Sequence, residues 1–303
     1  MTLAVTGATG FVGQALLDRA AQAGIPIRAI TRREQPERPG VTWIAGDLDA
    51  PNALAQAMKG AEAVLHIAGV VNAPQPAGFE TGNVKGTLNV IEAAVKARVN
   101  RLVFVSSLSA REPHLSAYGS SKARAEKLVR ASGLDWTIVR PPAIYGPRDH
   151  EMLPLFKAAK WGFVPMPQRE GRASYIHVDD LARLLLALAP GSEAVFGKTF
   201  EPDDGKPSGW SHHDIAQAIG AAVGRQPKVL HMSPRVLSVA GRASQWLLGD
   251  KAKLTRDRAS YMAHPDWGVS EAARVPEAVW SPQIATRDGL KATAQWYRDN
   301  RLL

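Results

Sequence analysis

Near its start the chain reads Leu3-Ala4-Val5-Thr6-Gly7-Ala8-Thr9-Gly10-Phe11-Val12-Gly13. A short apolar run enters a glycine-rich turn there, and an amphipathic segment over residues 11–23 leaves it. Strand, tight loop and helix follow one another in this order where an α/β fold presents backbone N–H groups to a pyrophosphate. The stretch therefore predicts a dinucleotide site at the first strand of such a fold.

The three glycines of this loop have separate expected roles. Gly7 lets the chain turn sharply, and Gly10 lets the backbone approach phosphates without a Cβ in the way. Gly13 lets the helix lie close to the sheet. Because tight strand-to-helix turns use glycine for steric reasons alone, the triplet is a weak signal by itself. Its position directly after the first strand favours dinucleotide binding.

The composition is that of a globular protein with one large domain or two unequal ones. Of the 303 residues, 45% are hydrophobic and 21% are charged, which allows a sizeable core. Cysteine is absent, which excludes disulfides, thiolate metal sites and cysteine nucleophiles. The eight histidines show no spacing typical of a metal-binding pair, so no metal site is predicted.

The formal net charge of +9 is compatible with an anionic ligand, an acidic membrane surface or nucleic acid. Because the basic residues are spread along the chain without interleaved aromatic residues, nucleic acid is not an expected partner. We interpret the charge as a basic surface with one anion site. No secretory signal precedes the first predicted strand and no apolar run approaches membrane-spanning length, so a cytoplasmic location is expected.

The first half of the chain alternates strand-like and helix-like segments. Strands are predicted at residues 26–31, 41–45, 63–67, 101–106 and 136–140, and helices at 52–58, 84–99 and 120–131. Continuous apolar strands separated by helices indicate a parallel sheet covered on both faces. The predicted fold class is therefore α/β, with a Rossmann-type doubly wound parallel sheet.

The alternation weakens after Pro141-Pro142, where Trp, Pro and Gly become frequent. We predict a dinucleotide-binding domain over residues 1–142 plus 174–200, and a smaller, mostly helical substrate lobe over 143–173 plus 201–303. Residues 175–188 are expected to return to the first domain as a short strand and a helix, and residues 198–200 to form a late strand.

A second informative cluster lies at the end of the strand predicted at 101–106 and in the helix that follows. Tyr118 and Lys122 are four residues apart, so they share one face of a helix. An unperturbed tyrosine has a pKa of about 10, too high for proton exchange near neutrality. A nearby ammonium favours the phenolate and lowers that pKa. Ser107, at the strand end, is positioned to hold a substrate carbonyl or hydroxyl.

A Tyr-x-x-x-Lys pattern by itself usually marks a solvated helix face, but here a glycine loop and a strand-end serine pair precede it. Together these motifs resemble the short-chain dehydrogenase/reductase family, in its extended, two-lobed branch. The resemblance covers nearly all of residues 1–200 and fades in the last third. Further matching segments are Gly46-Asp47-Leu48, His66-Ile67-Ala68-Gly69, Asn83-Val84-Lys85-Gly86-Thr87, Arg140-Pro141-Pro142-Ala143-Ile144-Tyr145-Gly146-Pro147 and Tyr175-Ile176-His177-Val178-Asp179-Asp180.

The resemblance implies a role for each matching residue, and it is nearest to dihydroflavonol reductases and 3β-hydroxysteroid dehydrogenases. Tyr118 would be the general acid/base, Lys122 its electrostatic partner and a ribose ligand, and Ser107 the donor that orients the substrate. Hydride would move between nicotinamide and the substrate carbon. The residues implied to bind the cofactor are Gly7, Thr9, Gly10, Phe11, Val12, Gly13, Arg32, Asp47, Leu48, Ile67, Ala68, Gly69, Asn83, Ser106, Tyr118, Lys122, Pro141 and Ile144.

The end of the second predicted strand discriminates between the two nicotinamide cofactors. NAD-selective sites carry a carboxylate there, about 20 residues past the glycines, for the ribose hydroxyls. This chain has Ile30-Thr31-Arg32-Arg33 instead, and a guanidinium can hold the 2′-phosphate of NADP by paired hydrogen bonds. We expect NADP rather than NAD, with Arg32 as the main contact. A solvent-exposed basic turn closed by Glu34 is the alternative.

Two departures from the branch bear on function. Ala143 stands where nucleotide-sugar epimerases and dehydratases usually carry an asparagine that contacts the nucleotide diphosphate. The interval from Ser107 to Tyr118 is short, as in the reductase-like accessory subunit of respiratory complex I, which binds NADPH. Three hypotheses follow: an NADP-dependent oxidoreductase acting on a carbonyl or alcohol of a small, mainly apolar molecule, a nucleotide-sugar epimerase/dehydratase, and a non-catalytic NADPH-binding assembly or regulatory protein.

The last third of the chain is less informative. Ser211 precedes a helical pattern and is predicted to cap that helix. The helix-like segment 240–248 and the basic residues after it fit contact with substrate, a second subunit or an anionic membrane surface; these residues are Lys251, Lys253, Arg256 and Arg258. The expected partner is thus a small-molecule substrate. A homodimer is compatible with the sequence, and peripheral membrane contact stays open.

Overall fold

The computed structural model describes residues 1–249 and 256–303, and its strands and helices are numbered in chain order. The strands are β1 (Leu3–Thr6), β2 (Ile27–Thr31), β3 (Val41–Ala45), β4 (Ala63–His66), β5 (Arg101–Val105), β6 (Asp135–Val139), β7 (Ala143–Tyr145), β8 (Phe163–Met166), β9 (Arg172–Ala173), β10 (Tyr175–His177), β11 (Lys198–Phe200), β12 (Trp210–Ser211), β13 (Lys228–His231) and β14 (Asp266–Trp267).

The helices are α1 (Phe11–Gln22), α2 (Pro51–Met58), α3 (Pro76–Phe79), α4 (Gly86–Ala97), α5 (Ala117–Arg130), α6 (Leu153–Lys160), α7 (Val178–Leu188), α8 (His212–Ala222), α9 (Pro234–Leu248), α10 (Arg256–Met262) and α11 (Thr286–Asp299). Within the same ranges a π-helix covers Glu80–Lys85, and 3-10 helices cover Leu108–Arg111 and Glu271–Ala273.

Seven of the strands described here form a parallel sheet in the order β3–β2–β1–β4–β5–β6–β11. The direction of strand addition reverses at β1, which pairs with β2 on one side and β4 on the other. Open α/β sheets bind ligands outside the carboxyl ends of the strands at such a reversal. The predicted α/β fold with a Rossmann-type parallel sheet is confirmed.

Burial of the sheet on both faces explains why its strands could be predicted from the sequence. Every residue of β1, β4 and β5 is buried, so these strands are mostly apolar and do not alternate with polar residues. The helix expected over residues 84–99 requires a correction, because a π-helix comes first and α4 begins only at Gly86. The helix expected from residue 120 begins earlier, at Ala117, because the Ser116 hydroxyl accepts a hydrogen bond from the Gly119 N–H at 2.9 Å.

The chain divides into two compact units. Unit 1 comprises Met1–Pro141, Leu181–Glu201 and Val275–Trp280, and unit 2 comprises Pro142–Asp180, Pro202–Arg274 and Ser281–Leu303. This division differs from the predicted boundaries, since residues 174–180 lie in unit 2. The strand expected to return to the first domain, β10, pairs instead with β7 in a separate sheet. The part of this segment that belongs to unit 1 is the helix α7 from Leu181 onward, and four of its five leucines are fully buried.

Unit 2 carries the helices α6 and α8–α11 and, among its described residues, three small sheets: β10–β7, β12–β9–β14 and β13–β8. Its buried core includes Phe156, Ile215, Ile219, Leu290 and Tyr297. Ser211 caps α8 as predicted, because its hydroxyl accepts from the Asp214 N–H at 3.0 Å. Lys251 and Lys253 lie outside the described residues. None of the described helices is both long enough and apolar enough to cross a bilayer.

Candidate active site

The glycine loop joins β1 to α1 at the reversal of strand order. Gly7 has a φ of +77°, and a Cβ there would lie only 2.6 Å from the backbone nitrogen of Ala68, so the position requires glycine on both counts. A Cβ on Gly13 would lie 2.1 Å from the Gly7 carbonyl oxygen, so Gly13 lets α1 begin directly against the loop. Gly10 precedes α1 without a side chain to cover its first N–H groups. This helix start suits a pyrophosphate.

A buried chain of hydrogen bonds joins the ends of β1 and β4. The Ala68 N–H donates to Thr6 Oγ1 at 3.3 Å, and Thr6 Oγ1 lies 2.6 Å from Nδ1 of His66. On the other side, His66 Nε2 lies 3.0 Å from Thr87 Oγ1, which donates to the Asn83 carbonyl at 2.6 Å. Since the Thr87 hydroxyl uses its hydrogen on Asn83, it accepts from Nε2–H, and Nδ1 accepts from Thr6.

His66 therefore acts as a neutral connector. Its burial, together with the charge of Lys122, lowers the pKa of His66 to about 3, which keeps one ring nitrogen as donor and the other as acceptor. This histidine matches the family pattern in the sequence, but no contact is predicted for it there. The contacts of the two threonines that bond to its ring nitrogens could not be predicted from the sequence. They depend on strands and helices that only the fold brings together.

The π-helix directs Asn83 inward, where its amide connects three chain segments. Asn83 Oδ1 accepts from the Val70 N–H at 2.7 Å, and Nδ2 donates to the Val70 carbonyl and to Ser121 Oγ, each at 2.9 Å. Ser121 Oγ in turn donates to the Tyr118 carbonyl at 2.7 Å. The segment after β4 is thus tied to the first turn of α5. A π-turn at a functional site is a common use of this rare geometry.

Lys122 presents a buried ammonium from α5. Its Nζ donates to the Val105 carbonyl at the end of β5, at 2.8 Å, and lies 4.5 Å from the centre of the Phe104 ring. Burial lowers the pKa of Lys122 to about 8, although the negative charge of Glu126 acts to raise it. A Cβ on Gly69 would lie 3.5 Å from this Nζ and 3.3 Å from Asn83 Oδ1. Gly69, Asn83 and Lys122, all predicted cofactor residues, are therefore neighbours.

A 3-10 helix covers the first four residues of the short interval between Ser107 and Tyr118. Ser107 Oγ accepts from the N–H and the hydroxyl of Ser109, at 3.2 and 2.9 Å, so its own hydrogen can be donated to a substrate oxygen. A Cβ on Gly119 would lie 2.6 Å from the Ser109 carbonyl oxygen, so glycine lets α5 pack against this 3-10 helix. Tyr118 is half-buried, with its ring centre 5.9 Å from that of Phe79.

A buried ion cluster that is not predicted from the sequence supports α5. Glu126 accepts from Ser106 Oγ at 2.6 Å and from Nε and Nη2 of Arg140 at 2.8 and 2.7 Å. Arg140 also donates to Glu201 at 3.3 Å. Burial acts to raise the pKa of Glu126, but the hydrogen bonds and charge of Arg140, with the Ser106 bond, hold it below its ordinary value. The spacing by four of Tyr118, Lys122 and Glu126 was the available signal.

Ser106 is one of the residues predicted to contact the cofactor. Its hydroxyl is buried and donates to Glu126. Pro141, also predicted at the cofactor, accepts from the Leu108 N–H through its carbonyl at 2.9 Å. Ile144 lies on β7 in unit 2. Three further predicted residues lie at the glycine loop. Thr9 is exposed, and Phe11 and Val12 are half-buried at the start of α1.

The predicted residues after β2 and β3 lie at the surface. Arg32 follows the end of β2, is exposed, and forms no ion pair with any residue in the described ranges. Asp47 is exposed and accepts from the Asp49 N–H at 2.9 Å. A Cβ on Gly86 would lie 2.8 Å from Leu48 Cδ1, which places Leu48 against the start of α4.

The sequence and fold of this chain are similar to those of several known proteins. The model of the NAD dependent epimerase/dehydratase family matches residues 3–200. A ceramide reductase of Caulobacter vibrioides is 36% identical over 98% of this chain and 94% of its own length. A 2-alkyl-3-oxoalkanoate reductase of Stenotrophomonas maltophilia is 31% identical over 96% of this chain and 98% of its own length. The solved structure of MoeE5 in complex with UDP-glucose and NAD has the same fold, with a TM-score of 0.76 at 22% identity and 99% coverage of both chains. The predicted resemblance to the extended short-chain dehydrogenases/reductases is thereby confirmed, and the chain belongs to the NAD dependent epimerase/dehydratase family.

Proposed function

We propose that this protein is an NADP-dependent oxidoreductase that reduces a ketone on a molecule with a long apolar chain. The family and its two reductase relatives support the coarser statement, an NAD(P)-dependent oxidoreductase. The observation that carries the substrate class is the 36% identity with a ceramide reductase over nearly the full length of both chains. The second relative's name, 2-alkyl-3-oxoalkanoate reductase, describes a ketone beside alkyl groups and supports the same class.

The residues of unit 1 fit the cofactor. The start of α1 behind Gly10 offers uncapped N–H groups to a pyrophosphate. Arg32 lies exposed at the end of β2 and unpaired among the described residues, where this fold binds the 2′-substituent of the adenosine ribose. The choice of NADP over NAD rests on this guanidinium. When bound, the reduced cofactor supplies the hydride that the ketone carbon accepts.

In the proposed reaction Tyr118 donates its phenolic proton to the ketone oxygen, which becomes the alcohol oxygen of the product. The ammonium of Lys122 stabilises the phenolate left behind. Its bond to the Val105 carbonyl and its packing on Phe104 hold that ammonium in place. Ser107, whose hydroxyl accepts from Ser109, donates to the ketone oxygen and orients it.

The proposal predicts a pH dependence set by Lys122. Because its pKa is lowered to about 8, Lys122 loses its charge as the pH rises through that value. We expect kcat/KM for ketone reduction, which reports ionisations of the free enzyme, to fall above about pH 8. Glu126 raises the pKa of Lys122, so Glu126→Gln should move this fall to lower pH.

The matched control is Glu62→Gln, at an exposed glutamate of the same unit. It should leave the pH profile of kcat/KM unchanged. A profile that is identical in wild type and Glu126→Gln would remove Lys122 from the ionisation that limits the reaction.

The direct test of the function is NADPH oxidation in the presence of ketones of increasing alkyl chain length and of a nucleotide sugar. We expect turnover of the long-chain ketones and none of the nucleotide sugar. Conversion of a nucleotide sugar with tightly retained NAD would favour the epimerase/dehydratase hypothesis instead. Binding of NADPH with no turnover of any compound would favour the non-catalytic hypothesis.

A further inference from the structure

Unit 2 exposes a group of large apolar side chains that its core does not use. Trp161 is 82% exposed, Trp246 is 84% exposed and Val239 is 66% exposed. The full group is Trp161, Phe163, Leu230, Val236, Val239 and Trp246. Single exposed apolar residues are ordinary, but a group of them in two neighbouring chain segments indicates a surface that binds something.

The first part of this surface is one face of the small sheet formed by β8 and β13. Phe163 is the register partner of Lys228, and Pro165 is the partner of Leu230. Partnered residues of adjacent strands point to the same side of a sheet. Phe163, Lys228 and Leu230 are exposed, whereas the alternate residue Val164 is buried. The outer face of this sheet is therefore both apolar and basic.

The second part is the exposed side of α9. The Met232 N–H donates to the Met166 carbonyl at 2.8 Å, so α9, which begins two residues later, starts at the end of the same sheet. At 100° per residue, five exposed side chains of α9 fall within an arc of about 120°. That arc carries Arg235, Val236, Val239, Arg242 and Trp246, all exposed. Leu237 lies outside the arc and is buried.

The charge on this surface has one sign. Residues 153–166 and 225–249 contain no aspartate or glutamate, in a chain that has 28 of them. The same two segments contain six cationic side chains, all exposed: Lys157, Lys160, Arg225, Lys228, Arg235 and Arg242. Protein–protein interfaces are depleted of lysine, particularly at their centres. An anionic bilayer surface, by contrast, attracts clustered Lys and Arg and accepts Trp side chains at the level of the headgroups.

We propose that residues 153–166 and 225–249 of unit 2 form a surface that binds anionic membranes peripherally, with Trp161 and Trp246 inserted among the headgroups. The amphipathic arc of α9 has the composition of an interfacial helix: basic residues flank Val and Trp, and no acid interrupts them. This inference does not depend on the proposed reaction, because it uses no residue of the candidate active site.

The test is sedimentation of the full-length protein with vesicles. One set contains phosphatidylcholine alone, and the other contains equal parts of phosphatidylcholine and phosphatidylglycerol. We expect pelleting with the second set only, and release at high salt, because exposed charges are screened. The variant Arg235→Glu/Arg242→Glu should lower the partition coefficient by about tenfold or more. The variant Trp161→Ser/Trp246→Ser should also weaken binding. Its remaining binding should depend on anionic lipid more than that of the double arginine variant does.

The control variants change exposed residues of unit 1. Lys59→Glu/Lys96→Glu makes the same change in net charge as the double arginine variant, and Leu88→Ser/Val95→Ser removes exposed apolar side chains from another helix. Both should pellet like wild type. Circular dichroism and the thermal unfolding midpoint establish that every variant is folded.

Three outcomes would overturn the proposal. One is no pelleting of wild type, and another is equal pelleting with neutral vesicles. The third is equal loss in Lys59→Glu/Lys96→Glu, which would mean that net charge alone is responsible. A dimer that dissociates in Trp161→Ser/Trp246→Ser, without vesicle binding, would identify this surface as an interface between copies of the chain.

Discussion

Replacing Tyr118 with phenylalanine is expected to lower kcat for ketone reduction by about 10²- to 10⁴-fold, the range for a lost general acid. The ring and its position near Phe79 remain, and only the proton donor is removed. NADPH affinity should stay within about threefold, because the glycine loop and the Arg32 region are unaffected. Initial rates with a long-chain ketone and a binding titration with NADPH measure the two quantities separately.

The control for this variant is Tyr261→Phe, which removes the hydroxyl of a tyrosine on α10 of unit 2. It should keep the wild-type rate. An unchanged rate in Tyr118→Phe would show that Tyr118 is not the proton donor. Weak NADPH binding in Tyr118→Phe would instead assign the phenol to the cofactor site.

Replacing Arg32 with alanine should weaken NADPH binding by about tenfold or more and leave NADH binding nearly unchanged. Only NADPH carries the additional phosphate, and Arg32 is exposed without an ion pair to any residue described. The affinity lost should shrink at high salt, because an exposed charge pair is screened. Titrations of both cofactors into both proteins give the required ratio of dissociation constants.

Two further variants make the test specific to Arg32. Arg33→Ala changes the neighbouring exposed guanidinium and should cost less affinity for NADPH. Lys96→Ala removes an exposed cation on α4 and should cost none. If Arg32→Ala weakens NADPH and NADH by the same factor, the guanidinium does not bind the 2′-phosphate.

Much of unit 1 could be predicted because its signals are local. The loop from Gly7 to Gly13 depends on φ angles and close approaches that only glycine allows, so it is readable from residue types alone. The strands β1, β4 and β5 are buried on both faces, and continuous apolar runs follow directly from that burial. The spacing of Tyr118 and Lys122 places them on one helix face whatever surrounds the helix.

The parts that were missed depend on contacts between distant segments. Glu126 appears from the sequence to be one more charged helix residue, and only the fold places Ser106 and Arg140 against its carboxylate. Asn83 likewise acquires its partners from the segment after β4 and from α5. The domain boundary was misplaced around β10 because a three-residue strand carries no signal of which strand it pairs with.

The amino-acid sequence by itself thus determined the parallel α/β fold, the glycine loop and the Tyr118–Lys122 pair, because sterics and helical periodicity act between near neighbours in the chain. Only the tertiary structure decided the lowered pKa of Lys122, the connecting role of His66 and the exposure of Val239 and Trp246 on α9. Burial, hydrogen-bond partners and local charge are properties of the folded surroundings, and they are set by residues that lie far away in the sequence.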